Sequence, residues 1–347
     1  MTTHTWLPDW LRLLWEVPGA TDVLINGPGD AWVDRGLGLE MASTLMPGTT
    51  GAASIADVRA LAVRLASLAG RRLDDASPAV DARLPDGTRL HAVLPPIADG
   101  CALVSLRRVR SSSMTWEDLI FQGAVHPLLE PVLRGLVRSK SSIIVSGATG
   151  SGKTTLLGTL LADVDPRERI VLLEEAGEVR PTHPHVVRLV ERPANVDGAG
   201  AVGMSRLVRE ALRMRPDRIV LGECRGAEIR EVLLALNTGH RGSLTTVHAN
   251  AAADVPARLI ALGALAEMSE RAVVLHASAA FTAIVHLERD PQRRRVAEVA
   301  LLQSRAGELT AVPAAIVDEQ GNFHHGAAWA KLRQLALMTD DAFAVAS

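Results

Sequence analysis

The clearest chemistry in this 347-residue chain lies in one run: Gly147, Ala148, Thr149, Gly150, Ser151, Gly152, Lys153 and Thr154, with Thr155 directly behind. The run fits G-x-x-x-x-G-K-[ST], the phosphate-binding loop, in which glycines let successive backbone N–H groups converge on phosphate oxygens. Lys153 would then neutralise the terminal phosphates, and the Thr154 hydroxyl would ligate Mg²⁺. Residues 143–146 before the loop read as a strand, and Leu156, Leu157, Leu160 and Leu161 after it recur at helical spacing. Strand, glycine loop and helix is the context the motif requires, and the helix start adds a favourable potential for an anion. Lysine occurs only at positions 140, 153 and 331, so a chance match is rare.

Acids and histidines elsewhere could complete a site. Glu223 closes the apolar run 218–222, where a Mg²⁺-directed carboxylate belongs; the alternative is a solvated strand end. Glu174, Glu175 and Glu178 follow the run 170–173. Ordinary loops often carry such acids, but both groups end strands of one expected parallel sheet, and the carboxyl ends of such strands line the ligand crevice. His248 ends the strand-like stretch 244–247. A lone histidine is more often structural, yet beside phosphates an imidazole can stabilise developing charge. His240 is a weaker candidate, and Arg107, Arg108, Arg206, Arg213, Arg215 and Arg225 are individually expected to be solvated or ion-paired.

The elements that must hold these residues follow from patterning. From residue 142 onward, short β-branched or leucine-rich runs alternate with helical segments, which argues for a mostly parallel sheet with helices on both faces. The first third reads as a smaller α+β domain. Val80, Ala82 and Leu84 alternate with Asp81 and Arg83, turn at Asp86-Gly87, and resume at Leu90, Ala92 and Leu94, a hairpin signature. Ser54 with Asp57 resembles a capping box for a helix carrying Ile55, Val58, Leu61, Leu65 and Leu68. Trp32-Val33 suggests a further strand. These patterns predict domains at 1–110 and 118–347 joined by a serine-rich linker at 111–117, with Thr115 and Asp118 capping the helix that follows.

Composition sets the exclusions. With 48% hydrophobic and 22% charged residues the chain is no disordered tail, and a net charge of -2 gives no electrostatic footprint for nucleic acid. Two cysteines rule out a disulfide scaffold or a cysteine-rich zinc site, and a reducing cytosol fits best. The N-terminal residues mix acid, Arg and Trp too early for a signal peptide. Stretch 273–287 is too short to span a bilayer and reads as buried core. The paired His324 and His325 could bind metal but are expected in an exposed loop.

Taken in order, four boxes resemble those of the secretion-superfamily ATPases of type II and type IV secretion and type IV pili: GATGSGKTT (147–155), IVLLEEAGE (170–178), RIVLGECRG (218–226) and TTVHAN (245–250). They correspond to a Walker A loop, an acidic Asp box, a Walker B strand and a His box. The tight-adherence (Flp) pilus assembly ATPases are the branch most resembled, through residues 183–202, 207–223 and 236–250, and through 21–38 and 84–96 in the first third. The resemblance runs from about residue 21 to about residue 302.

The resemblance implies a RecA-like ATPase domain behind the α+β domain, with ATP and Mg²⁺ as ligands. It makes Glu223 the Walker B acid, acting on Mg²⁺ through water or on the attacking water. Glu178 would polarise that water with support from Glu174, and His248 would contact the γ-phosphate region. Arg107, and more weakly Arg89, would be the arginines that the N-terminal domain delivers as it closes over the nucleotide. It also implies a homo-hexameric ring, cytoplasmic, held at the inner membrane face by polytopic platform proteins, with no direct nucleic-acid contact. A conjugative DNA-transfer or pilus-retraction motor, and a weakly hydrolysing scaffold, are the alternatives. Two departures stand out: Glu175 occupies the position the family usually gives to Asp, and the chain begins almost at the N-terminal domain.

Overall fold

The computed structural model describes residues 7–36, 38–45, 54–108, 114–192, 200–290 and 293–337; residues 111–113 of the expected linker lie outside them. The chain divides into two compact units, Met1–Arg110 and Ser111–Ser347.

The first unit contains α1 (Asp9–Trp15), β1 (Asp22–Gly27), β2 (Asp30–Asp34), β3 (Leu39–Met41), α2 (Ala42–Leu45), α3 (Ile55–Leu68), β4 (Ala79–Arg83), β5 (Arg89–Val93) and β6 (Leu103–Arg107). The strands form one sheet in the order β3-β2-β1-β6-β5-β4, each neighbouring pair antiparallel. Alternation decides which face is covered: Val80, Ala82, Leu90 and Ala92 are buried, while Asp81 and His91 face solvent. The buried face joins one core with the Val58, Leu61, Ala62, Leu65 and Ala66 face of α3. Ser54 caps α3 by accepting the Asp57 N–H at 3.2 Å, a bond worth about 1 kcal/mol at a helix start.

The second unit begins with a capping box in which Thr115 and Asp118 each accept the other's backbone N–H. Trp116 and Glu117 therefore belong to α4 (Trp116–Phe121). There follow α5 (Leu129–Arg138), β7 (Ile143–Gly147), α6 (Lys153–Ala162), β8 (Ile170–Glu174), β9 (Val186–Val190), α7 (Met204–Ala211), β10 (Arg218–Leu221), α8 (Ile229–Asn237), β11 (Leu244–Val247), α9 (Val255–Leu265), α10 (Glu270–Ala280), β12 (Ala283–Arg289), β13 (Arg294–Arg305), β14 (Glu308–Val317), β15 (Phe323–His325) and α11 (Trp329–Leu335). The sheet order is β15-β14-β13-β12-β7-β11-β10-β8-β9. The portion from β12 to β9 is parallel, and β13, β14 and β15 extend it antiparallel. The fold is α/β and RecA-like.

Burial on both sheet faces explains the continuous apolar runs. In β7, Ile143 and Val145 join a core with α5, α6 and α11, while Ile144 joins a second core with α7, α8, α9 and α10. The stretch 273–287, expected as one buried block, splits into most of α10 and the first part of β12, with Leu275 exposed. His324 and His325 lie in the edge strand β15 rather than a loop. His324 pairs with Asp318 at 2.7 Å, and His325 stacks on Trp329. Among the described residues no group of three or more His, Cys, Asp or Glu could hold a metal ion, and no helix is long and apolar enough to cross a membrane.

One charge anchors the amino ends of the parallel strands. Arg218 is buried at the start of β10, and its Nε donates to Glu168 Oε2 at 2.8 Å. Its terminal nitrogens donate to the carbonyls of Val137 and Gly242 at 2.9 and 3.1 Å. A single guanidinium thus ties β10 to the end of α5 and to the loops before β8 and β11.

Candidate functional site

The parallel strands β7, β8, β10 and β11 all point their carboxyl ends one way, so the four sequence boxes share one edge of the sheet. The loop after β7 is shaped by glycine. Gly147 has φ +147°, and a Cβ there would lie 2.4 Å from the Leu287 carbonyl oxygen of β12 and 2.7 Å from Ser151 Oγ. No other residue fits that approach without moving the neighbouring strand. Gly152 then caps α6 in a left-handed conformation, leaving the first N–H groups of the helix directed at the loop.

Around this cradle Ala148, Thr149, Gly150 and Thr154 are exposed, whereas Ser151 and Lys153 are buried. Lys153 Nζ donates to the carbonyls of Gly147 and Ala148, each at 2.8 Å, and lies 3.3 Å from His248 Nδ1. An ammonium can only donate, so Nδ1 is the acceptor and the neutral ring carries its proton on Nε2. That nitrogen sits 2.7 Å from Glu223 Oε1. Residues from three separated boxes thereby form one contact chain: Lys153, His248, Glu223. Burial lowers the pKa of Lys153 against the raising effect of Glu223. Burial likewise lowers that of His248, with Lys153 and Arg225 adding to the effect and Glu223 opposing it. The imidazole is therefore neutral at pH 7.

Glu223 is also gripped by Arg225, with Nε 2.7 Å from Oε1 and Nη2 donating to Oε2 at 2.8 Å. Arg225 Nη1 reaches Glu175 in addition. Despite these close cations, Glu223 Oε1 is buried with no well-aligned hydrogen-bond donor among the described residues, and so is Ser151 Oγ. Two misaligned buried oxygens at the mouth of a glycine cradle suit a polar ligand that supplies what the protein does not.

The acidic box divides by burial. Glu174 is 4% exposed; Oε1 accepts the Val179 N–H and Oε2 accepts Arg188 Nε, both at 2.8 Å. Burial raises its pKa, opposed by those bonds. Its carboxylate organises the turn that presents Glu178, which is half-buried, and Glu175, which is exposed. In the first unit, Arg107 on β6 is exposed and pairs with Asp22 at 2.7 Å, and Arg89 pairs with Asp81 at 2.8 Å.

Sequence reasoning undervalued three side chains here. Arg225, expected to be solvated or ion-paired, is ion-paired, and its two partners are both acids of the site; its place two residues after Glu223 is the available signal. Arg289, at the end of β12, puts Nη1 2.7 Å from where a Gly150 Cβ would stand, a proximity no local pattern reveals. His286, also on β12, is buried against Ser146 directly below the loop.

A family model described as "Type II/IV secretion system protein" matches residues 20–321. A protein of Mycobacterium tuberculosis, named provisionally for conjugal transfer, is 46% identical over 309 residues, covering 87% of this chain and 86% of the relative. The conjugal transfer protein TrbB of Rhizobium radiobacter is 32% identical over 298 residues, covering 84% and 87%. Among solved structures, the pilus retraction motor PilT with bound ADP superposes with a TM-score of 0.59 at 19% identity, covering 98% of this chain and 89% of that one, a likeness of fold. With the matched region spanning both units, the chain belongs to the type II/IV secretion system protein family, the superfamily its four ordered boxes resemble.

Proposed function

We propose that this chain is a Mg²⁺-dependent ATPase that powers a type IV-related assembly or transfer machine, a pilus of the tight-adherence kind in the first instance. The observation that carries the reading is the contact chain of Lys153, His248 and Glu223, beside the poorly satisfied Glu223 Oε1 and Ser151 Oγ. Phosphate oxygens would draw Lys153 Nζ from the loop carbonyls, because an anion adds to the hydrogen bond a Coulomb attraction that a neutral carbonyl lacks. Thr154, exposed at the first turn of α6, would hold Mg²⁺ together with Glu223, directly or through water. Magnesium bound there would neutralise charge on the phosphates in the transition state.

The chain's own residues have separable duties. Glu178, on the turn braced by Glu174, would orient the attacking water, and Glu223 would take its proton or fix the cation. His248, neutral, would pass an N–H towards Glu223 or the γ-phosphate without adding positive charge. Arg107 is assigned a phosphate contact by the family resemblance alone. A homo-hexamer held by inner-membrane platform proteins belongs to the same reading.

Steady-state phosphate release by wild type, Lys153→Ala and Glu223→Gln tests the activity. We expect losses of at least about 10²-fold in both variants, the scale of removing an electrostatic stabiliser or an acid–base group; equal background rates in all three would end the ATPase reading. A second pathway, conjugal DNA transfer, is favoured by the names of the relatives. Co-purification with polytopic membrane subunits supports the pilus reading, and specific DNA binding without them supports the other. The net charge of -2 argues against direct contact with DNA.

A further inference from the structure

Below the glycine loop lies a buried titratable side chain that the scheme above does not use. His286 on β12 is 2% exposed, and Ser146, the residue before Gly147, is fully buried. The two are register partners in the parallel pair β7–β12, and Ser146 is simultaneously opposite Val247, the residue before His248. Ser146 Oγ and His286 Nδ1 are 2.9 Å apart. The Asn250 backbone acts on the same ring, raising its pKa against the lowering effect of burial. With the ring proton on Nε2, on the side of Asn250, Nδ1 accepts the Ser146 hydroxyl proton.

Asn250 is two residues beyond His248 in the loop between β11 and α9. The next residue of that loop is fixed from the other side, where Asp254 Oδ2 accepts the Ala251 N–H at 3.1 Å. His286 is therefore the link between the strand that ends in the phosphate loop and the loop that carries His248. The other charged groups that act on it are Glu288 on its own strand, Asp254 and Lys153. An apolar side chain of similar size would fill the space but leave the Asn250 carbonyl and the Ser146 hydroxyl without this partner.

We propose that His286 is a positioning residue: by bridging Ser146 and Asn250 it holds His248 in line between Lys153 and Glu223. The proposal rests on the ATPase reading for its consequence in catalysis, but not for its geometry. Precise placement of a catalytic side chain by the groups behind it commonly costs 10–100-fold in activity when removed, about the range expected here.

The experiment uses the full-length protein and compares His286→Leu, His286→Gln, His248→Ala and the double variant His286→Leu/His248→Ala. His286→Leu should lower kcat about tenfold while affinity for a fluorescent ATP analogue stays within about twofold. Gln, whose amide both accepts and donates, should recover most of that loss. In the His248→Ala background, His286→Leu should cost nothing further. Full multiplication of the two losses would overturn the proposal, as would a Gln variant that melts normally yet is as slow as Leu.

Long-range proton–nitrogen spectra of ¹⁵N-histidine-labelled protein read the geometry without any turnover. They should show His286 neutral with its proton on Nε2, and the His248 ring resonances should move in His286→Leu or, should that variant not fold, in Ser146→Ala, while His286→Gln leaves them near wild type. Unmoved His248 resonances would sink the idea even in an active enzyme. A wild type that hydrolyses nothing would sink the ATPase reading and leave these spectra to decide the bridge.

Discussion

Two neutral histidines next to the glycine loop give the molecule a pH signature. Burial is the first cause in lowering the pKa of both His248 and His286 from the ordinary 6.5. Below about pH 6.5 the unfolded chain binds protons at these positions that the folded chain refuses, so stability rises with pH across that window and is lost as pH falls through it. The melting temperature should therefore drop between pH 7.5 and 5.5, and His286→Gln should flatten that part of the drop; an unchanged slope would remove His286 as a contributor. Legibility at this scale follows sequence distance. Gly147 through Thr155 were readable because the motif is contiguous, and Glu223 and His248 because each ends an apolar run. Arg289 and His286 were not, since their partners lie on β7 and the loop after it, some 140 positions upstream for the Ser146–His286 pair. Glu174 and Glu178 were visible as acids, but only burial separates the one that braces the turn from the one it presents.

Elements with a strong local signal emerged where periodicity placed them: α3 with its Ser54 cap, the β4–β5 hairpin, and the strands leading to the four boxes. The antiparallel extension β13–β14–β15 and the edge strand β9 were not legible. The long β13 is buried on both faces over much of its length, so its sequence lacks the alternation that marks a half-exposed strand. Arg218 is a comparable case, because a basic residue at a strand start reads as solvated until three other chain segments close on it. Arg218→Ala should destabilise the second unit by about 3–5 kcal/mol, the usual cost of stripping one partner from a buried ion pair. A melt shifted by less than about 2 °C would contradict that role, given that 1 kcal/mol moves a unit of this size by about 2–4 °C. Close helix packing gives another check. A Cβ on Gly263 of α9 would fall 2.2 Å from Val273 Cγ2 of α10, so Gly263→Ala should cost about 1–3 kcal/mol, and Val273→Ala should relieve part of it in the double variant.

For the molecule as a whole, one family match at residues 20–321 reaches across both units, and the second carries every box. The contribution of the first unit is tested most directly at Arg107. If it stabilises transferring phosphate, Arg107→Ala should lower kcat at least tenfold with Asp22→Asn near wild type, whereas equal small effects would mark a surface ion pair worth about 0–1 kcal/mol. The two-handed grip of Arg225 on Glu223 and Glu175 has a consequence of its own. A divalent cation drawing on Glu223 must contend with a guanidinium already seated there. By thermodynamic reciprocity, a ligand that binds better with Arg225 turned towards Glu175, and so tightens cation binding, is itself bound tighter by the same factor once the cation is present. Occupancy of the metal would then be legible at the protein surface, in the posture of one exposed arginine.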